Sequence, residues 1–447
     1  MKVVIMAGGH GTRIAECFPD IPKPLIPVRS ADGREKPVLQ WEIESLRDQG
    51  FKEIILTVSH MADKIKEYFA DGSGLGVKID YYVEEKPLGN AGALFKIRDC
   101  LTDPFLLLNA DAVFQIDINR FIRFHREHGG LVSLFTHPNS HPYDSGLIII
   151  DSDRAVKCWL TKEDARPKWY NNRVNAGLHV VDPTVLDMTL RRMGIGAEMI
   201  GTEGPDGETV KVDLDRQVLK PLCDTKMMFA YDSPEYCKDM GTPERYEQVY
   251  RDFQSGTVVA KSLKKSQKAI FLDRDGTINK YVGFLKDINQ FELLPGVAEA
   301  IKRINESGYL CIVATNQPVI ARGEVTVPEL EEIHRKMETL LGNEGAYIDG
   351  LYYCPHHPHS GYEGEVLKLK VECDCRKPKP GMLFRAAMDF NIDLGSSWMI
   401  GDGENDVLCG KKAGCRTVRL SVQECGDCDA DLVVENLKQA IDCIIPQ

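Results

Sequence analysis

Short apolar runs recur along the first half of the chain, and most are rich in valine, isoleucine and leucine. They occupy residues 2–7, 53–58, 104–109, 131–136 and 146–151. Such runs are typical of strands that are buried on both faces of a sheet. Between them lie patterns of helical period, such as residues 37–50, which carry an apolar stripe through Leu39 and Ile43. This alternation predicts an α/β fold with a mixed, mostly parallel sheet.

The same alternation begins again in the second half of the chain. Apolar runs at 268–273, 310–316, 350–354 and 397–402 alternate with helical patterns at 296–308, 327–342 and 380–390. The intervening stretch, 251–267, is polar and basic, which predicts a linker or a short joining helix. We therefore predict two α/β domains, 1–250 and 268–447.

Composition and charge narrow the classes of function. A chain of 447 residues, 43% hydrophobic and 27% charged, is long enough for two or three ordinary globular domains. The net charge of −12 argues against a nucleic-acid partner. No apolar run is long enough for a membrane span, and the N-terminus lacks a signal-like pattern. We therefore expect the 14 cysteines to be reduced in a cytoplasmic protein.

A glycine-rich turn follows the first predicted strand, in the sequence AGGHGTR. Glycines at a strand-to-helix turn allow backbone N–H groups to approach a phosphate closely, although a tight turn without a ligand is the alternative. The spacing fits neither the dinucleotide fingerprint nor the Walker A loop. Arg13 ends the turn, and Lys23 lies between prolines in IPKPLIPV. The candidate phosphate-binding residues in the turn are Gly8, Gly9, Gly11 and Thr12.

Further motifs follow this turn along the chain. They contain Glu84 and Gly89 in EEKPLGNAGAL, Asp111 in LLLNADAV, Asn175 and Gly177 in NAGLHVVDP, and Asp239 in KDMGTPE. Together with the glycine-rich turn they resemble the sugar-1-phosphate nucleotidyltransferase family over nearly all of residues 1–250. The resemblance implies a Rossmann-like domain that joins a nucleoside triphosphate to a sugar 1-phosphate and releases pyrophosphate. It also implies that Asp111 and Asp239 hold Mg²⁺ and that Asn175 and Gly177 contact substrate.

The reaction implied by this resemblance requires the protein to position and neutralise two anions. We expect Arg13 and Lys23 to counter the charge of the triphosphate. Glu84 lies in the family's base-contacting loop, where a carboxylate can accept hydrogen bonds from guanine, so GTP is the favoured nucleotide; a simply solvated Glu84 is the alternative. The family's Glu-Lys-Pro segment is replaced by LTKEDARPKW, in which Lys162 is the candidate for the sugar phosphate and Lys168 is the alternative.

Two aspartates follow the strand that opens the second domain, in FLDRDGT. Asp273 and Asp275 are two residues apart, so an extended chain points both carboxylates towards one site. Such a pair suits covalent phosphoryl transfer: one carboxylate attacks phosphorus, and the other protonates the leaving alcohol and then activates water. The sequence resembles the first motif of the haloacid dehalogenase (HAD) superfamily of Rossmannoid phosphatases.

The other motifs of that superfamily follow in order. The resemblance implies that Thr315 and Asn316 bind phosphate and that Lys377 orients the nucleophile. In MIGDGENDV, Asp402 and Asp406 match the motif that holds Mg²⁺. Mg²⁺ prefers oxygen ligands, and we expect Asp273, Asp275 and Asp402 to provide them.

A cysteine-rich loop separates these motifs, and it contains Cys354, His356, Cys373 and Cys375. Three thiolates and one imidazole favour tetrahedral Zn²⁺, and four protein ligands make such a site structural. His357 and His359 compete for the imidazole position, and reduced buried cysteines without metal are the alternative. We therefore predict a zinc-binding loop.

Residues 268–420 resemble one HAD branch, the D-glycero-D-manno-heptose-1,7-bisphosphate 7-phosphatases and their histidinol-phosphate phosphatase relatives. The resemblance implies that Arg376 binds the distal phosphate of the substrate, a role that suits a bidentate guanidinium. The sequence TNQPVIARG departs from the branch at Pro318, where serine and glycine are usual after Gln317.

The two resemblances fit consecutive reactions, because a 7-phosphatase yields a sugar 1-phosphate and a nucleotidyltransferase consumes one. We expect a bifunctional enzyme that converts heptose 1,7-bisphosphate to heptose 1-phosphate and then, with GTP, to GDP-D-glycero-α-D-manno-heptose for bacterial surface glycans. The alternatives are a mannose- or glucose-1-phosphate nucleotidyltransferase, a histidinol-phosphate-type phosphatase, or one half that senses a nucleotide sugar without turnover.

Overall fold

The chain forms two compact units in the computed structural model, which describes residues 1–9, 13–110, 112–204, 207–422 and 429–445. The first unit comprises Met1–Thr136, Ile148–Leu160 and Asn175–Ser262, and the second comprises His137–Leu147, Thr161–Val174 and Leu263–Gln447. Two stretches from the first half of the sequence, 137–147 and 161–174, thus pack within the second unit. Their sequences carry no regular apolar period, so nothing in the pattern alone indicates which core they join.

The strands and helices of the first unit are numbered in chain order. The strands are β1 (Val3–Ala7), β2 (Pro27–Arg29), β3 (Glu35–Pro37), β4 (Glu53–Val58), β5 (Lys78–Val83), β6 (Phe105–Asn109), β7 (Ala112–Gln115), β8 (Val132–His137), β9 (Leu147–Ile150), β10 (Val156–Leu160), β11 (Val174–Val181), β12 (Met228–Asp232) and β13 (Tyr236–Asp239). The helices are α1 (Val38–Asp48), α2 (Ala62–Phe69), α3 (Gly92–Lys96), α4 (Ile118–His128), α5 (Thr184–Met193), α6 (Pro243–Gln254) and α7 (Thr257–Ala260).

The described residues of the first unit contain a nine-stranded mixed sheet. Its main path runs β10-β9-β11-β6-β1-β4-β5. Off this path, β8 pairs with β11 and with β12. Strands β6, β1, β4 and β5 are parallel, whereas β11 is antiparallel to β6. Alternate residues of β1 enter different cores: Val3 and Ile5 pack on one face, and Val4 packs on the other. Burial on both faces explains why the strands are continuously apolar.

The second unit contains a smaller parallel sheet. Its strands are β14 (Lys268–Leu272), β15 (Tyr309–Asn316), β16 (Gly350–Cys354), β17 (Trp398–Gly401), β18 (Arg416–Leu420) and β19 (Leu432–Val434). Its helices are α8 (Val297–Glu306), α9 (Val327–Asn343), α10 (Gly381–Phe390), α11 (Glu404–Ala413) and α12 (Leu437–Ile444). The strand order is β16-β15-β14-β17-β18-β19, and every pair is parallel.

The order of this second sheet places its first strand near the centre. Ile270 and Leu272 of β14 face one core, and Ala269 and Phe271 face the other. The residues after β14, β15 and β17 therefore emerge beside one another at the carboxyl edge, where parallel α/β sheets place ligands. The predicted α/β class and the two Rossmann-like units are confirmed. Within the described ranges, the helices are too short or too polar to cross a bilayer.

Candidate active sites

The nucleophile candidate of the second unit lies directly after the central strand β14. Asp273 is held by Lys377, whose Nζ is 2.7 Å from Asp273 Oδ1 and 2.6 Å from Asp406 Oδ1. The Lys377 side chain is only 3% exposed, so both ion pairs are shielded from water. Burial without these partners would be costly for an ammonium group. The Lys377 ammonium and the carboxylates of Asp273 and Asp406 therefore stabilise one another.

Three carboxylates converge at this edge of the sheet. Oxygen atoms of Asp273, Asp402 and Asp406 all lie within 4.8 Å of one another. A Cβ added to Gly276, whose φ is +84°, would lie 2.1 Å from Asp402 Oδ2, so this turn requires glycine. Clustered carboxylate oxygens repel one another and are the ligands that Mg²⁺ prefers. The residues present therefore fit a magnesium ion.

Burial changes the acidity of these groups. It raises the pKa of Asp273 to about 7, while the neighbouring Lys377 ammonium opposes this rise. Burial and the nearby Asp406 likewise raise the pKa of Asp402 to about 6. Burial alone would lower the pKa of Lys377, but the two facing carboxylates hold it above its usual value. A bound divalent cation would favour the ionised carboxylates, because opposite charge stabilises them.

Asp275 lies outside this group of three carboxylates, although the sequence predicts it as a magnesium ligand. Its oxygens accept hydrogen bonds from Arg274 Nη2 at 2.8 and 2.9 Å, from Asn279 Nδ2 at 3.0 Å and from Gln317 Nε2 at 2.9 Å. Arg274 is fully buried, and its Nη1 lies 3.2 Å from His334 Nε2. This network holds the Asp275 carboxylate in one orientation.

Asn316 connects two parts of the site. Its Nδ2 donates to the carbonyl of Lys377 at 3.1 Å, and its Oδ1 accepts from the N–H of Lys377 at 3.0 Å. Thr315 is buried, and its hydroxyl accepts from Gln317 Nε2 at 2.9 Å. The end of β15 therefore sets the position of the loop that carries Lys377.

The four predicted zinc ligands form a compact cluster. The Sγ atoms of Cys354, Cys373 and Cys375 are 3.2 to 3.6 Å apart, and His356 Nδ1 is 3.3 Å from Cys375 Sγ. A tetrahedral zinc ion requires sulfurs roughly 3.8 Å apart, since each Zn–S bond is about 2.3 Å. Only a small outward shift of the thiols is needed, so the donor set fits Zn²⁺. His357 Nδ1 instead lies 3.1 Å from the carbonyl of His359.

We expect purified protein to contain about one equivalent of zinc, and Cys373→Ser to lose it, because a serine hydroxyl is a poor replacement for a thiolate ligand. The variant should also melt at least about 5 °C lower than the parent, since metal binding contributes to folding. Elemental analysis and thermal unfolding measure both effects. Cys443→Ser, at an exposed cysteine of α12, is the matched control and should change neither. Zinc-free parent protein would contradict the assignment.

The first unit brings its predicted base-contacting residue beside the opening turn. A Cβ added to Gly8 would lie 3.4 Å from Glu84 Oε1, so the turn after β1 and the loop after β5 are adjacent. Burial raises the pKa of Glu84, and the N–H of Leu88 opposes this rise. A Cβ on Gly9 would meet nothing within 4 Å. Glu84 is half-buried beside Gly8, so its carboxylate can accept hydrogen bonds from the N–H groups of a planar ring.

Three predicted charged residues surround Gly241. A Cβ added there would lie 2.9 Å from Asp239 Oδ1, 3.4 Å from Arg13 Nη2 and 3.9 Å from Lys23 Nζ. Arg245 Nη1 binds both oxygens of Asp239 at 2.9 Å. Burial alone would raise the pKa of Asp239, but Arg245, followed by the N–H of Gly241, lowers it overall. The arrangement places two cationic side chains beside an ionised carboxylate.

Asn175 and Gly177 lie on β11, in the middle of the sheet. Gly177 has a φ of +76°, and an added Cβ would lie 2.7 Å from Asn109 Nδ2, so glycine is required. His179 Nε2 lies 3.1 Å from Asn175 Oδ1. Because burial lowers the pKa of His179 to about 3, its ring is neutral. This contact turns the amide nitrogen of Asn175 away from the histidine.

The remaining predicted residues occupy several loops. Gly89, with a φ of +82°, packs against Val212, where an added Cβ would lie 2.4 Å from the backbone oxygen. Lys162 and Lys168 are exposed in the second unit. Arg376 donates from Nη1 to the carbonyl of His356 at 3.1 Å, beside the cysteine cluster. Gly11, Thr12 and Asp111 lie outside the described residues.

Sequence reasoning missed several residues that organise these sites. Arg274 and Gln317 hold Asp275, Arg245 pairs with Asp239, and His179 contacts Asn175. Arg274 lies between the two predicted aspartates, and Gln317 directly follows Asn316. Their positions beside predicted site residues could therefore have identified them. Arg245 and His179 follow their partners by six and four residues, and no residue pattern in the sequence marks either of them.

Comparison with known proteins identifies a family for each of two parts of the chain. Residues 2–255 match the nucleotidyl transferase family, and residues 374–440 match the HAD hydrolase-like family. The chain is 40% identical over 176 residues to D-glycero-beta-D-manno-heptose-1,7-bisphosphate 7-phosphatase of Pasteurella multocida, covering 38% of this chain and 93% of that protein. The protein of the same description from Escherichia coli K12 is 41% identical over 155 residues, covering 35% and 79%.

A solved structure is similar to part of the chain. HddC from Yersinia pseudotuberculosis is 25% identical, with a TM-score of 0.44, and the match covers 56% of this chain and 99% of that one. The family matches confirm the two activities expected from the sequence, nucleotidyl transfer and phosphatase activity.

Proposed function

Because the chain belongs to the nucleotidyl transferase family in its first part and to the D-glycero-beta-D-manno-heptose-1,7-bisphosphate 7-phosphatase family in its second, we propose that it catalyses two consecutive reactions on one sugar. The second unit removes the 7-phosphate of D-glycero-D-manno-heptose 1,7-bisphosphate, and the first couples the resulting heptose 1-phosphate to GTP. One observation carries the proposal: an Asp273 carboxylate held by Lys377 and a nucleotidyl transferase domain occur in the same chain.

The phosphatase step begins with attack of an Asp273 oxygen on the phosphorus of the 7-phosphate. The bond from phosphorus to the sugar oxygen breaks, and Asp275, held by Arg274 and Gln317, donates a proton to that oxygen. Asp275 then takes a proton from water, which attacks the aspartyl phosphate and releases inorganic phosphate. Lys377 keeps Asp273 in place and offsets negative charge that accumulates around phosphorus.

Residues Asp273, Asp402 and Asp406 would hold Mg²⁺. When bound, the ion neutralises charge on the transferring phosphoryl group. Asp275, which the sequence also predicts as a ligand, lies outside this group of carboxylates and is proposed as the acid and base. Arg376 and the residues near it are proposed to bind the distal phosphate.

The transfer step joins two anions in the first unit. An oxygen of the sugar phosphate attacks the α-phosphorus of GTP, and the bond to the β-phosphate oxygen breaks to release pyrophosphate. Arg13 and Lys23, both beside Gly241, offset the charge of the triphosphate. We propose that Asp239, together with Asp111, holds Mg²⁺ and that Asn175 and Gly177 contact the sugar nucleotide.

The combined reaction has a simple test. Parent enzyme incubated with Mg²⁺, GTP and heptose 1,7-bisphosphate should release one phosphate and one pyrophosphate for each nucleotide sugar formed. Phosphate, pyrophosphate and nucleotide sugar are measured in the same samples, with mannose 1-phosphate and histidinol phosphate as comparison substrates. Efficient turnover of unrelated compounds by the two sites, with no sugar in common, would refute the proposal.

We expect GTP to give the highest kcat/KM among the four common nucleoside triphosphates, by about tenfold or more over ATP. Glu84 can accept hydrogen bonds from both N1–H and the exocyclic amine of guanine, whereas adenine lacks this donor pair. Glu84→Gln should reduce the preference and leave the phosphatase rate unchanged. Glu85→Gln, at the exposed neighbour, is the matched control. A higher kcat/KM with ATP or CTP would contradict the assignment of the base.

A further inference from the structure

A buried histidine lies close to the phosphatase site, and neither proposed reaction uses it. His334 belongs to helix α9 and is 4% exposed. Its ring packs against the ring of Tyr353 in β16, with the ring centres 5.6 Å apart. A buried polar ring is costly unless its nitrogen atoms are paired. The hydrogen-bond partner of His334 therefore indicates what the residue does.

The partner of His334 is the guanidinium of Arg274. Arg274 Nη1 lies 3.2 Å from His334 Nε2, and the arginine side chain is fully buried. Guanidinium nitrogens are donors only, so Nη1 donates and the lone pair of Nε2 accepts. The proton of the neutral histidine ring is then on Nδ1. His334 therefore serves as a hydrogen-bond acceptor for Arg274.

This contact requires a neutral histidine ring. Burial lowers the pKa of His334 well below its usual value, and the charges of Arg274 and Arg335 lower it further. A protonated ring would place a second cation beside a guanidinium that is shielded from water. His334 therefore keeps its accepting lone pair at neutral pH.

The other side of the same guanidinium faces Asp275. Arg274 Nη2 donates to both carboxylate oxygens, at 2.9 Å to Oδ1 and 2.8 Å to Oδ2, and Arg274 Nε lies 3.3 Å from Oδ1. A guanidinium is a rigid planar fork, so its donor edges cannot turn independently of one another. The bond from Nη1 to His334 therefore determines which edge of Arg274 faces Asp275.

Two neutral side chains complete the contacts of Asp275. Gln317 Nε2 donates to Asp275 Oδ2 at 2.9 Å, and Gln317 Oε1 accepts from Arg274 Nη2 at 3.1 Å. Asn279 Nδ2 donates to Asp275 Oδ1 at 3.0 Å. Hydrogen bonds between charged groups are stronger than those of neutral groups. The orientation of Arg274 therefore has a larger effect on the position of Asp275 than either amide has.

Core packing sets the position of His334 relative to the site. Ile333 and Met337, on the same helix, are buried in one core with Ile270 and Leu272 of β14. Strand β14 directly precedes the two aspartates of the phosphatase site. Close-packed side chains leave little room for movement, so the helix and the strand keep a fixed separation.

We propose that His334 is a positioning residue for the phosphatase reaction and that it acts through Arg274 to orient the Asp275 carboxylate. The inference rests on the proposed function, in which Asp275 donates a proton to the sugar oxygen as the bond from that oxygen to phosphorus breaks. Without an acceptor at position 334, Nη1 loses its buried partner and the guanidinium is free to rotate. Asp275 then turns with it, and protonation of the leaving oxygen slows.

The acceptor is removed in His334→Leu and in His334→Asn, whose amide is too short to reach Arg274. We expect both variants to lower kcat/KM for heptose 1,7-bisphosphate about tenfold to 10²-fold, because a sugar oxygen is a poor leaving group without a proton. With p-nitrophenyl phosphate, kcat/KM should stay within about threefold of the parent, because nitrophenolate leaves without a proton and kcat/KM includes only the steps up to its departure.

Two further variants separate the hydrogen bond from the packing of the helix. His334→Gln can place an amide oxygen near the position of Nε2, and its kcat/KM should stay within about threefold of the parent for both substrates. Met337→Leu changes a buried side chain one turn along α9 without removing a hydrogen bond, and it is the matched control. A loss in His334→Gln as large as in His334→Leu would overturn the acceptor role.

Crystal structures of the parent and the variants provide a measurement that does not depend on activity. In His334→Leu and His334→Asn, Arg274 Nη2 should no longer contact both oxygens of Asp275, whereas His334→Gln should keep this contact. An undisturbed Asp275, or an equal loss of kcat/KM with the two substrates, would overturn the positioning role. A parent enzyme that does not hydrolyse heptose 1,7-bisphosphate would refute the proposed function, and the position of Asp275 in the variants would still decide the inference.

Discussion

Replacing Asp273 by asparagine is expected to lower kcat for phosphate release by on the order of 10³-fold or more. The neutral amide does not attack phosphorus, so no aspartyl phosphate forms. Asparagine keeps the size of the side chain and can still accept a hydrogen bond from Lys377, which lies 2.7 Å from the native carboxylate. The measurement is phosphate release from heptose 1,7-bisphosphate under saturating substrate.

The same variant carries its own control. Nucleotidyl transfer from supplied heptose 1-phosphate and GTP should proceed at the parent rate, because Asp273 belongs to the site of the second unit. No nucleotide sugar should form when heptose 1,7-bisphosphate is the only sugar provided. Loss of both activities in a variant that unfolds like the parent would contradict two separate reaction centres.

The converse substitution, Lys23→Ala, is expected to lower kcat/KM for nucleotidyl transfer by about 10²-fold to 10³-fold. Lys23 Nζ lies beside Gly241, together with Arg13 and Asp239. Its removal takes away positive charge that stabilises the triphosphate as pyrophosphate departs, and alanine supplies no replacement. Initial rates with varied GTP at fixed heptose 1-phosphate measure the effect.

The Lys23→Ala variant should release phosphate at the parent rate. Heptose 1-phosphate should then accumulate in the reaction of the variant. Lys52→Ala is the matched control, because Lys52 is also a lysine of the first unit but is exposed before β4. If Lys52→Ala reduced transfer as much as Lys23→Ala, a general effect of charge would replace the specific role given to Lys23.

Residues 161–174 lie in the second unit, although they come from the first half of the sequence. Two enzymes joined by a linker need share no more than a local concentration of their common intermediate. Here residues of one half of the sequence pack into the unit formed by the other half, with Tyr170 bound by Thr339 and Asn172 bound by Glu338. A cut within residues 251–267 would therefore separate Tyr170 and Asn172 from the hydrogen-bond partners that they have in α9.

Sequence patterns were most informative for the strands and for the residues that follow them. The predicted strands at 53–58 and 350–354 coincide with β4 and β16, because continuous apolar runs bounded by polar residues have few other stable arrangements. The zinc ligands were also predictable, since Cys354, His356, Cys373 and Cys375 come from one loop of limited length. The structure brings all four within 4.8 Å of one another.

The sequence alone determined the two α/β units, the two activities and the order of the motifs, because local period and residue chemistry are properties of short stretches. Only the tertiary structure decided which side chains meet. Asp406 rather than Asp275 joins Asp273 and Asp402, and residues 161–174 pack with α9. These contacts link residues far apart in the chain, and their free energy depends on burial and distance, which no local pattern specifies.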